Sequence, residues 1–502
     1  MSELKKLAGQ TMWYGVPTIA SRFLGYLMNL SLPLFFAQPA VTADLTQIYA
    51  MIPFLNVLFT YGLETAYFRF SKEEDPAKLY STLSLSLMGS TILLTGIIVL
   101  FRDQLVGWAN LEAHPEYINW MIAILFFDTI STLAFARLRL ENRPRKYAVV
   151  RLSSVLVNFL SVLIFLGLIP SYIINHPESS LAVFVNNGIG IGYYLLGNLA
   201  GSILTFLLLW KEFKQIRLLF NIQLWNRVMQ YSYPLIIVGM GGMVNDMLSR
   251  LIYQHVVDLP VEAAKHELGI FSNIYRLAVL ITIMIQAFRM AAEPFFFKQR
   301  GEENAQKVYA RVMKFFVIAC CYMFLFISLF IEIFAWFFNA IGKPLWTEGL
   351  YIVPLLALGN IFLGIYYNLS VWYKLTDKNK MGAVITVAGA LITIGLNILL
   401  IPKLHYLGAA LATFTCYFFM MITSYILGQR FYPVPYAVKK LTAYLVIVCL
   451  FYAIHKAVLH FFPVLWLGIL LGVLFIGLFT SLIGWAEKKE LQKIPFLQRF
   501  IA

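Results

Sequence analysis

The sequence is short of charge. Only 13% of its 502 residues are Asp, Glu, Lys or Arg, about half the roughly 25% that is usual in soluble domains. Hydrophobic residues make up 60% and the mean hydropathy is +0.75. A soluble fold cannot cover so many apolar side chains, so the composition excludes a soluble enzyme or soluble binding module and predicts a protein solvated by lipid.

Cysteine clusters and long polar loops are also lacking. The four cysteines, Cys320, Cys321, Cys416 and Cys449, all fall in apolar segments without the spacing of metal ligands or disulfides. The longest predicted loops, 171–187 and 211–230, are too short for a soluble catalytic domain. We therefore expect no cofactor, no metal and no enzymatic activity.

Long apolar segments are what the sequence does contain. A helix needs roughly 20 apolar residues to cross a bilayer, and fourteen segments meet this requirement. We predict spans at 12–37, 46–69, 79–101, 117–137, 147–170, 188–210, 229–256, 268–296, 312–336, 349–372, 381–402, 406–428, 438–458 and 463–485. The first carries no small-residue cleavage site, so we interpret it as a retained span.

Basic residues fix the predicted orientation. The net charge of +14 comes from short Lys/Arg clusters between spans and not from one patch, which argues against nucleic acid as a partner. The loops on one side hold only five of the 39 Lys and Arg residues: Arg102, Lys265, Lys343, Lys403 and Lys456. The positive-inside rule then places both termini in the cytoplasm. The basic, amphipathic segment 211–230 is expected to lie along the headgroups.

Several ionisable residues fall inside predicted spans, where each costs about 2.5–3.5 kcal/mol if it faces lipid. They are Arg22, Glu64, Asp128, Arg151, Asp246, Arg250, Arg276, Arg289 and Glu293. The cations are all Arg, which stays charged when desolvated and whose planar fork matches phosphate oxygens. A hydrated lumen with several Arg therefore suits a ligand that carries a phosphate or diphosphate. Arg22 and Arg276 have no acid nearby on the same helix and are expected to face that ligand, whereas Arg151 lies near the inner surface and snorkels.

The remaining intramembrane residues have two interpretations each. Asp246 with Arg250, and Arg289 with Glu293, are four residues apart, so each pair either neutralises itself or serves the lumen. Glu64 and Asp128 are either carriers of a coupling ion such as H+ or Na+, or counter-ions to the arginines. Pro17 and Pro234 bend their helices and are candidate hinges, although transmembrane helices tolerate proline widely.

An internal duplication relates the two halves of the chain. Tyr14-Gly-Val-Pro17 opens the first span and Tyr231-Ser-Tyr-Pro234 opens the seventh. Six spans separate the two copies, so they enter the membrane in the same direction, as parallel repeats do in alternating-access carriers. We predict one lobe over 1–214, a second over 215–430 that includes the amphipathic linker, and two additional helices with a cytoplasmic tail over 431–502.

Five strings resemble the polysaccharide-biosynthesis flippases of the multidrug/oligosaccharidyl-lipid/polysaccharide exporter superfamily. They are YGLETAYFRFS (61–71), QYSYPLIIVG (230–239), MIQAFRMAAEPFFF (284–297), NIFLGIYYNLSVWYKLTDKNK (360–380) and IPKLHYLGAALAT (401–413). The resemblance implies an all-α polytopic fold of about 14 transmembrane helices, with two six-helix lobes around a central cavity and two extra C-terminal helices. It also implies a cationic lumen, for which Arg22, Arg250, Arg276 and Arg289 are the candidates that would bind the diphosphate.

The resemblance also implies a function. A flippase of this kind moves a polyprenyl-diphosphate-linked oligosaccharide from the inner to the outer leaflet of the bacterial cytoplasmic membrane by alternating access, for surface polysaccharide or lipopolysaccharide biosynthesis. Its partners would be membrane lipids and glycosyltransferases or a glycan polymerase. Two functions on the same fold stay open: a lipid II flippase, whose substrate is chemically close, and a cation-coupled multidrug extruder, although the spans hold five Arg against four acids. A membrane glycan polymerase or ligase fits poorly, because the outward loops are short.

Overall fold

The computed structural model describes residues 20–21, 23–179, 188–299, 302–376 and 378–492, without the side chains of 291, 293, 294, 297, 298 and 491. Arg22 and Pro17 lie outside the described residues. The described chain is almost entirely helical and contains no β-strand. The predicted all-α class is therefore confirmed.

The helices of the first half of the described chain are numbered in chain order. They are α1 (Phe23–Phe35), α2 (Val41–Thr60), α3 (Leu63–Phe70), α4 (Pro76–Leu100), α5 (Arg102–Trp108), α6 (Glu116–Leu140), α7 (Pro144–Val162), α8 (Ile169–Asn175), α9 (Gly192–Leu208), α10 (Trp210–Phe213) and α11 (Ile222–Val256). A π-helical segment, Leu163–Leu168, joins α7 to α8.

The second half continues the series in the same way. Its helices are α12 (Val261–Lys298), α13 (Ala305–Leu329), α14 (Ile331–Ala340), α15 (Val353–Leu369), α16 (Val371–Leu375), α17 (Asn379–Phe431), α18 (Val438–Phe461), α19 (Leu465–Ala486) and α20 (Lys488–Leu491). Two short 3-10 helices, Pro344–Thr347 and Leu350–Ile352, precede α15.

Helix α17 folds back on itself. It has 53 residues, far more than one crossing needs, and its backbone breaks at His405 with φ 54° and ψ −136°. A Cβ on Gly408 would lie 2.4 Å from the carbonyl oxygen of Leu400, and Cys416 Sγ lies 3.4 Å from the carbonyl oxygen of Gly389. The two arms therefore run side by side in opposite directions, and α17 provides two spans.

The count of spans agrees with the sequence. Among the described residues, eleven helices are long and apolar enough to cross a membrane, one of them being the doubled α17. The shorter apolar helices α1 and α9 complete the set. Each of the fourteen predicted spans thus has its helix, because burying backbone polar groups in lipid demands a continuous apolar helix wherever the chain crosses.

Local sequence explains where several helices begin and break. Asp75 caps α4 by accepting a 2.8 Å hydrogen bond from the amide of Lys78, and Asn221 caps α11 through the amide of Leu224 at 2.7 Å. Tyr61 and Gly62 are both left-handed, with φ of 32° and 74°. This turn ends α2 and restarts the chain as α3, which places Glu64 in the first turn of the new helix.

The linker between α10 and α11 differs from expectation. Residues 214–221 are not helical, and they dock onto a row of hydroxyls on α4. Amides of Arg217 and Asn221 donate to Ser81 Oγ at 3.0 Å and to Thr82 Oγ1 at 3.3 Å. The segment is thus partly tied to protein through these hydroxyls, while Leu218, Leu219 and Phe220, 91%, 54% and 49% exposed, are open to the headgroups.

The chain divides into two compact units. One comprises Met1–Arg276 with Ala383–Cys416, and the other comprises Leu277–Gly382 with Tyr417–Ala502. This division does not follow the predicted lobe boundaries at 214 and 430, which stay a prediction.

A buried carboxylate joins three helices of the second unit. The Glu487 side chain is 2% exposed and lies just beyond the end of α19. It accepts hydrogen bonds from Lys314 of α13, from Lys440 Nζ at 3.1 Å and from Tyr444 Oη at 2.8 Å, both on α18. Burial by itself would raise the pKa of Glu487, but these donors outweigh it and hold the pKa below its usual range.

Candidate functional site: a polar cavity in the first unit

The first unit encloses a cavity of about 610 Å³ between helices that are otherwise apolar. Hydroxyl, amide and charged side chains form most of its wall. The lining includes Ser21, Asn56, Thr60, Glu64, Thr65, Asp128, Ser131, Thr132, Arg139, Tyr147, Arg151, Ser154, Asn198, Ser202 and Thr205. A wall of this kind can hold water and can form hydrogen bonds with a polyhydroxylated or anionic ligand, at a depth in the membrane where lipid provides no hydrogen-bond partners.

Two carboxylates and two guanidinium groups face this cavity. Glu64 forms an ion pair with Arg139, which is not one of the arginines predicted within spans, so both interpretations of Glu64 stay predictions. Asp128 lies midway along α6 and is exposed to the cavity, although protein surrounds it. Ser202 hydrogen-bonds to it, and Arg151 interacts with it electrostatically. Asp128 therefore carries a charge or a proton at the cavity wall.

Helix α9 carries a stripe of polar residues on the face that lines this cavity. Tyr194, Asn198, Ser202 and Thr205 recur at intervals of four, four and three residues, which is the spacing of one helical face. Asn198 Nδ2 donates to the hydroxyl of Tyr49 at 2.5 Å, and Tyr49 packs edge-on against Tyr194. The stripe leads from the cavity to Tyr194, the neighbour of Arg276.

Arg276 lies beside Tyr194 and Arg250, within electrostatic range of both. Its Nη1 atom is buried and finds no hydrogen-bond partner among the described residues. A buried guanidinium nitrogen without an acceptor is costly, and a second cation nearby adds repulsion. This corner of the unit is therefore short of negative charge.

Arg250 is partly compensated. Its Nη2 donates to the carbonyl oxygen of Asp246 at 2.8 Å and lies 3.5 Å from Asp246 Oδ1. The guanidinium stacks on Tyr275, 4.2 Å from the ring centroid, and the Tyr275 hydroxyl donates to Asp246 Oδ1 at 2.9 Å. The same-helix pair expected at Asp246 and Arg250 is thus present, and its aromatic partner fixes the direction of the guanidinium.

The other predicted residues are placed elsewhere. Arg289 belongs to the second unit, where its guanidinium lies 4.8 Å from the Tyr367 ring centroid beside a cavity of about 10 Å³, space for one water. Pro234 lies within the unbroken helix α11. The side chain of Glu293, like Arg22 and Pro17, is outside the described part. The roles predicted for all of these stay predictions.

One end of the first unit is closed by contacts between α2 and the helices α11 and α12. Lys265 Nζ lies 2.9 Å from Asp44 Oδ1, and Thr46 Oγ1 donates to Ser272 Oγ at 2.8 Å. A Cβ on Gly269 would lie 2.1 Å from the carbonyl oxygen of Pro39, so only glycine permits this approach. These residues lie at the end of the helices that the loop charges predict to face outward.

The α5–α6 region seals the same end. Asn110 Nδ2 donates to Gln254 Oε1 at 3.0 Å, and the Trp108 and His255 rings stack with centroids 4.7 Å apart. The cavity, in contrast, extends to Arg139 and Tyr147, near the ends of α6 and α7 that are predicted to face the cytoplasm. The first unit is thus packed at its predicted outer end and hollow toward its predicted inner end.

Residues 7–299 match the family described as polysaccharide biosynthesis protein. This chain belongs to that family. No curated protein sequence matches it.

Solved structures share the fold of this family member. A lipid II flippase, MurJ, in an inward closed conformation matches with a TM-score of 0.69 and 16% identity, over 94% of this chain and 99% of that one. A multidrug resistance MATE family transporter of the MOP superfamily matches in its inward-facing form (TM-score 0.59, 12% identity, 84% of this chain and 94% of that one). A MATE family transporter in an outward-facing conformation matches with a TM-score of 0.57 and 13% identity, over 87% of this chain and 96% of that one. The predicted family is thus confirmed by the family match, and the chain has the multi-span membrane fold that these structures share.

The sequence missed part of the site. Arg139 lies two residues beyond the fourth predicted span, 117–137, so a search for charges within spans does not find it, and the same search cannot find the uncharged stripe on α9. The recurrence of polar side chains at helical spacing within α9 is the signal that would have found the stripe.

Proposed function

We propose that this protein is a flippase that moves a polyprenyl-diphosphate-linked oligosaccharide from the inner to the outer leaflet of a bacterial cytoplasmic membrane. The supporting observation is the Arg276 side chain, whose buried Nη1 has no described acceptor and whose charge is repelled by that of Arg250. Two guanidinium groups that share only one partial counter-ion, Asp246, suit a ligand with two phosphates, because Arg binds phosphate through charge-assisted, often bidentate hydrogen bonds.

The glycan is assigned to the polar cavity. Hydroxyls and amides such as Asn56, Thr132, Asn198 and Ser202 exchange hydrogen bonds with sugar hydroxyls as readily as with water. The α9 stripe runs from this cavity toward Tyr194, the neighbour of Arg276, so the sugar and the phosphates would bind near the two ends of one polar helix face. The polyprenyl tail stays in lipid, since no polar lining suits it.

Transport proceeds by alternating access between two predicted lobes, 1–214 and 215–430, with Pro17 and Pro234 as hinges. Breaking the contacts between α2, α11 and α12 opens the predicted outer end. The ligand drives this change only by binding the two states with different affinity. Direction is supplied by a proton or Na+ taken up at Asp128, or by the membrane potential acting on the arginines; Asp128→Asn separates these, since it removes the first alone.

The test is a set of single Arg→Ala changes at positions 22, 250, 276 and 289, with lipid-linked glycan accumulation in the inner leaflet as the readout. Loss of export in the Arg250 and Arg276 variants, at unchanged protein level, is expected. Full export in all four variants would remove this mechanism.

The two alternatives on this fold give different results in the same cells. A lipid II flippase would leave surface polysaccharide intact and instead block cell-wall synthesis when depleted. A cation-coupled drug extruder would change drug accumulation, but its ligands favour acids over an arginine pair. The arginines therefore favour a lipid diphosphate, and the depletion phenotype separates the two lipids.

A further inference from the structure

A second cavity of about 450 Å³ lies in the second unit, among α14, the end of α18 and the start of α19. The loop charges predict that this end of the helices faces outward. Its lining is mixed: Glu332, Asn339, Lys456 and His460 are polar, and Trp336 and Pro463 are among the apolar residues. The transport proposal makes no use of this cavity.

The polar lining residues include a cation and an anion that are paired with each other but accessible to solvent. Lys456 donates to Glu332, and the two side chains are 35% and 34% exposed. An ion pair so open to solvent contributes little to stability. A ligand that carries both an ammonium and a phosphate can therefore replace it, with the ammonium at Glu332 and the phosphate at Lys456, without leaving either charge unpaired.

The apolar lining residues and the aromatic residues next to the cavity suit the glycerol and acyl parts of a lipid. Trp336 is more than half exposed, and Phe461 (75%), Phe462 and Trp466 (72%) beside the cavity are largely exposed too. Aromatic residues collect at this depth because their rings sit at the level of the lipid headgroups. A free sugar would need a wall of hydroxyls and amides like that of the first cavity, whereas this wall is only half polar.

We propose that this cavity binds the zwitterionic headgroup of a phospholipid of the outer leaflet. Glu332 holds the ammonium, and Lys456 with His460 holds the phosphate. Trp336 packs on the glycerol and upper acyl region. The site joins α14 to the α18–α19 hairpin, so a bound lipid fastens the last two helices to the rest of the second unit.

The experiment is native mass spectrometry of the full-length protein, titrated in detergent with phosphatidylethanolamine, phosphatidylglycerol or diacylglycerol. The wild type is expected to retain phosphatidylethanolamine about tenfold better than the other two, as a charge-assisted hydrogen bond predicts. Glu332→Gln should remove the preference over phosphatidylglycerol, and Lys456→Met should weaken both phospholipids. Lys439→Met, a matched change at the other end of α18, should alter nothing.

A charge-reversed double variant, E332K with K456E, is the control for a loss of binding that is caused only by misfolding. It restores an ion pair, so a purely structural pair predicts normal melting and normal lipid retention. The proposal predicts normal melting with at least about tenfold weaker phosphatidylethanolamine retention, because the charges no longer match the headgroup in its membrane orientation. Equal retention of the three lipids by the wild type, or full retention by the double variant, would overturn the site. Competition by water-soluble glycerophosphoethanolamine at the same concentration would show that the acyl region is not recognised and would overturn the lipid assignment.

Discussion

Replacing Arg276 by methionine should make the protein more stable and less active at once. Methionine fills similar space without charge or donors, so the substitution removes the buried Nη1 that has no described acceptor. It also removes the repulsion between Arg276 and Arg250. A residue that serves a ligand and not the fold is the one whose loss shifts stability and binding in opposite directions.

The structure sets the size of both effects. An unsatisfied buried polar group costs about 1–3 kcal/mol, and the partial exposure of the Arg276 side chain favours the lower end. A gain of about 1 kcal/mol in the free energy of unfolding corresponds to a rise in apparent Tm of roughly 1–3 °C for a large chain. Loss of hydrogen bonds to a charged phosphate costs about 1.5–3 kcal/mol, or roughly 10- to 150-fold in Kd.

Two assays on the same preparations check this prediction. The apparent Tm is measured by nanoscale fluorimetry without ligand, and the Kd for a polyprenyl diphosphate is measured by thermophoresis in nanodiscs. Arg276→Lys keeps the charge without the planar fork and should bind with intermediate affinity. Arg311→Met is the control, since Arg311 is half exposed and pairs with Glu490 at 3.0 Å outside the site.

A lower Tm in Arg276→Met would refute the reasoning, because it would mean that the guanidinium holds the fold together. An unchanged Kd would refute the assignment of the diphosphate to this residue, whatever the Tm does.

Three further predictions concern other parts of the molecule. Oxidising the double variant T46C/S272C should stop export until a reductant is added, because the two hydroxyls are 2.8 Å apart; either single variant should not respond. Gly269→Ala should reduce export and expose T46C to an impermeant maleimide, since the new Cβ would overlap the α1–α2 loop; unchanged labelling would contradict the closed end. The pKa of Glu487 is lowered in the fold, so its contribution to stability is present at neutral pH and is lost as the pH falls through that pKa. Glu487→Gln should therefore lower the Tm at pH 7, on the scale of about 3–5 kcal/mol that breaking a buried charged pair costs. It should also make the Tm less dependent on pH below neutrality. An equal fall of the Tm with acid in the wild type and the variant would count against this account.

Much of the site could be found from the sequence, but only as a set of residues. Asp128, Arg250 and Arg276 stand out because a charge within an apolar segment is visible without any structure. Their partners are not visible. Tyr275 and Tyr194, which orient and neighbour the two arginines, are ordinary aromatic residues of apolar helices in the sequence.

The sequence by itself determined the number of spans, the helical class and the positions of the intramembrane charges. Each of these depends on hydrophobicity summed over about 20 neighbouring residues, which is a local property that lipid enforces segment by segment. Only the tertiary structure decided which charges are paired, which face the cavity and which end of the first unit is closed. Those outcomes depend on the rotation of each helix about its axis and on contacts such as Thr46 with Ser272, 226 residues apart, and no local pattern specifies them.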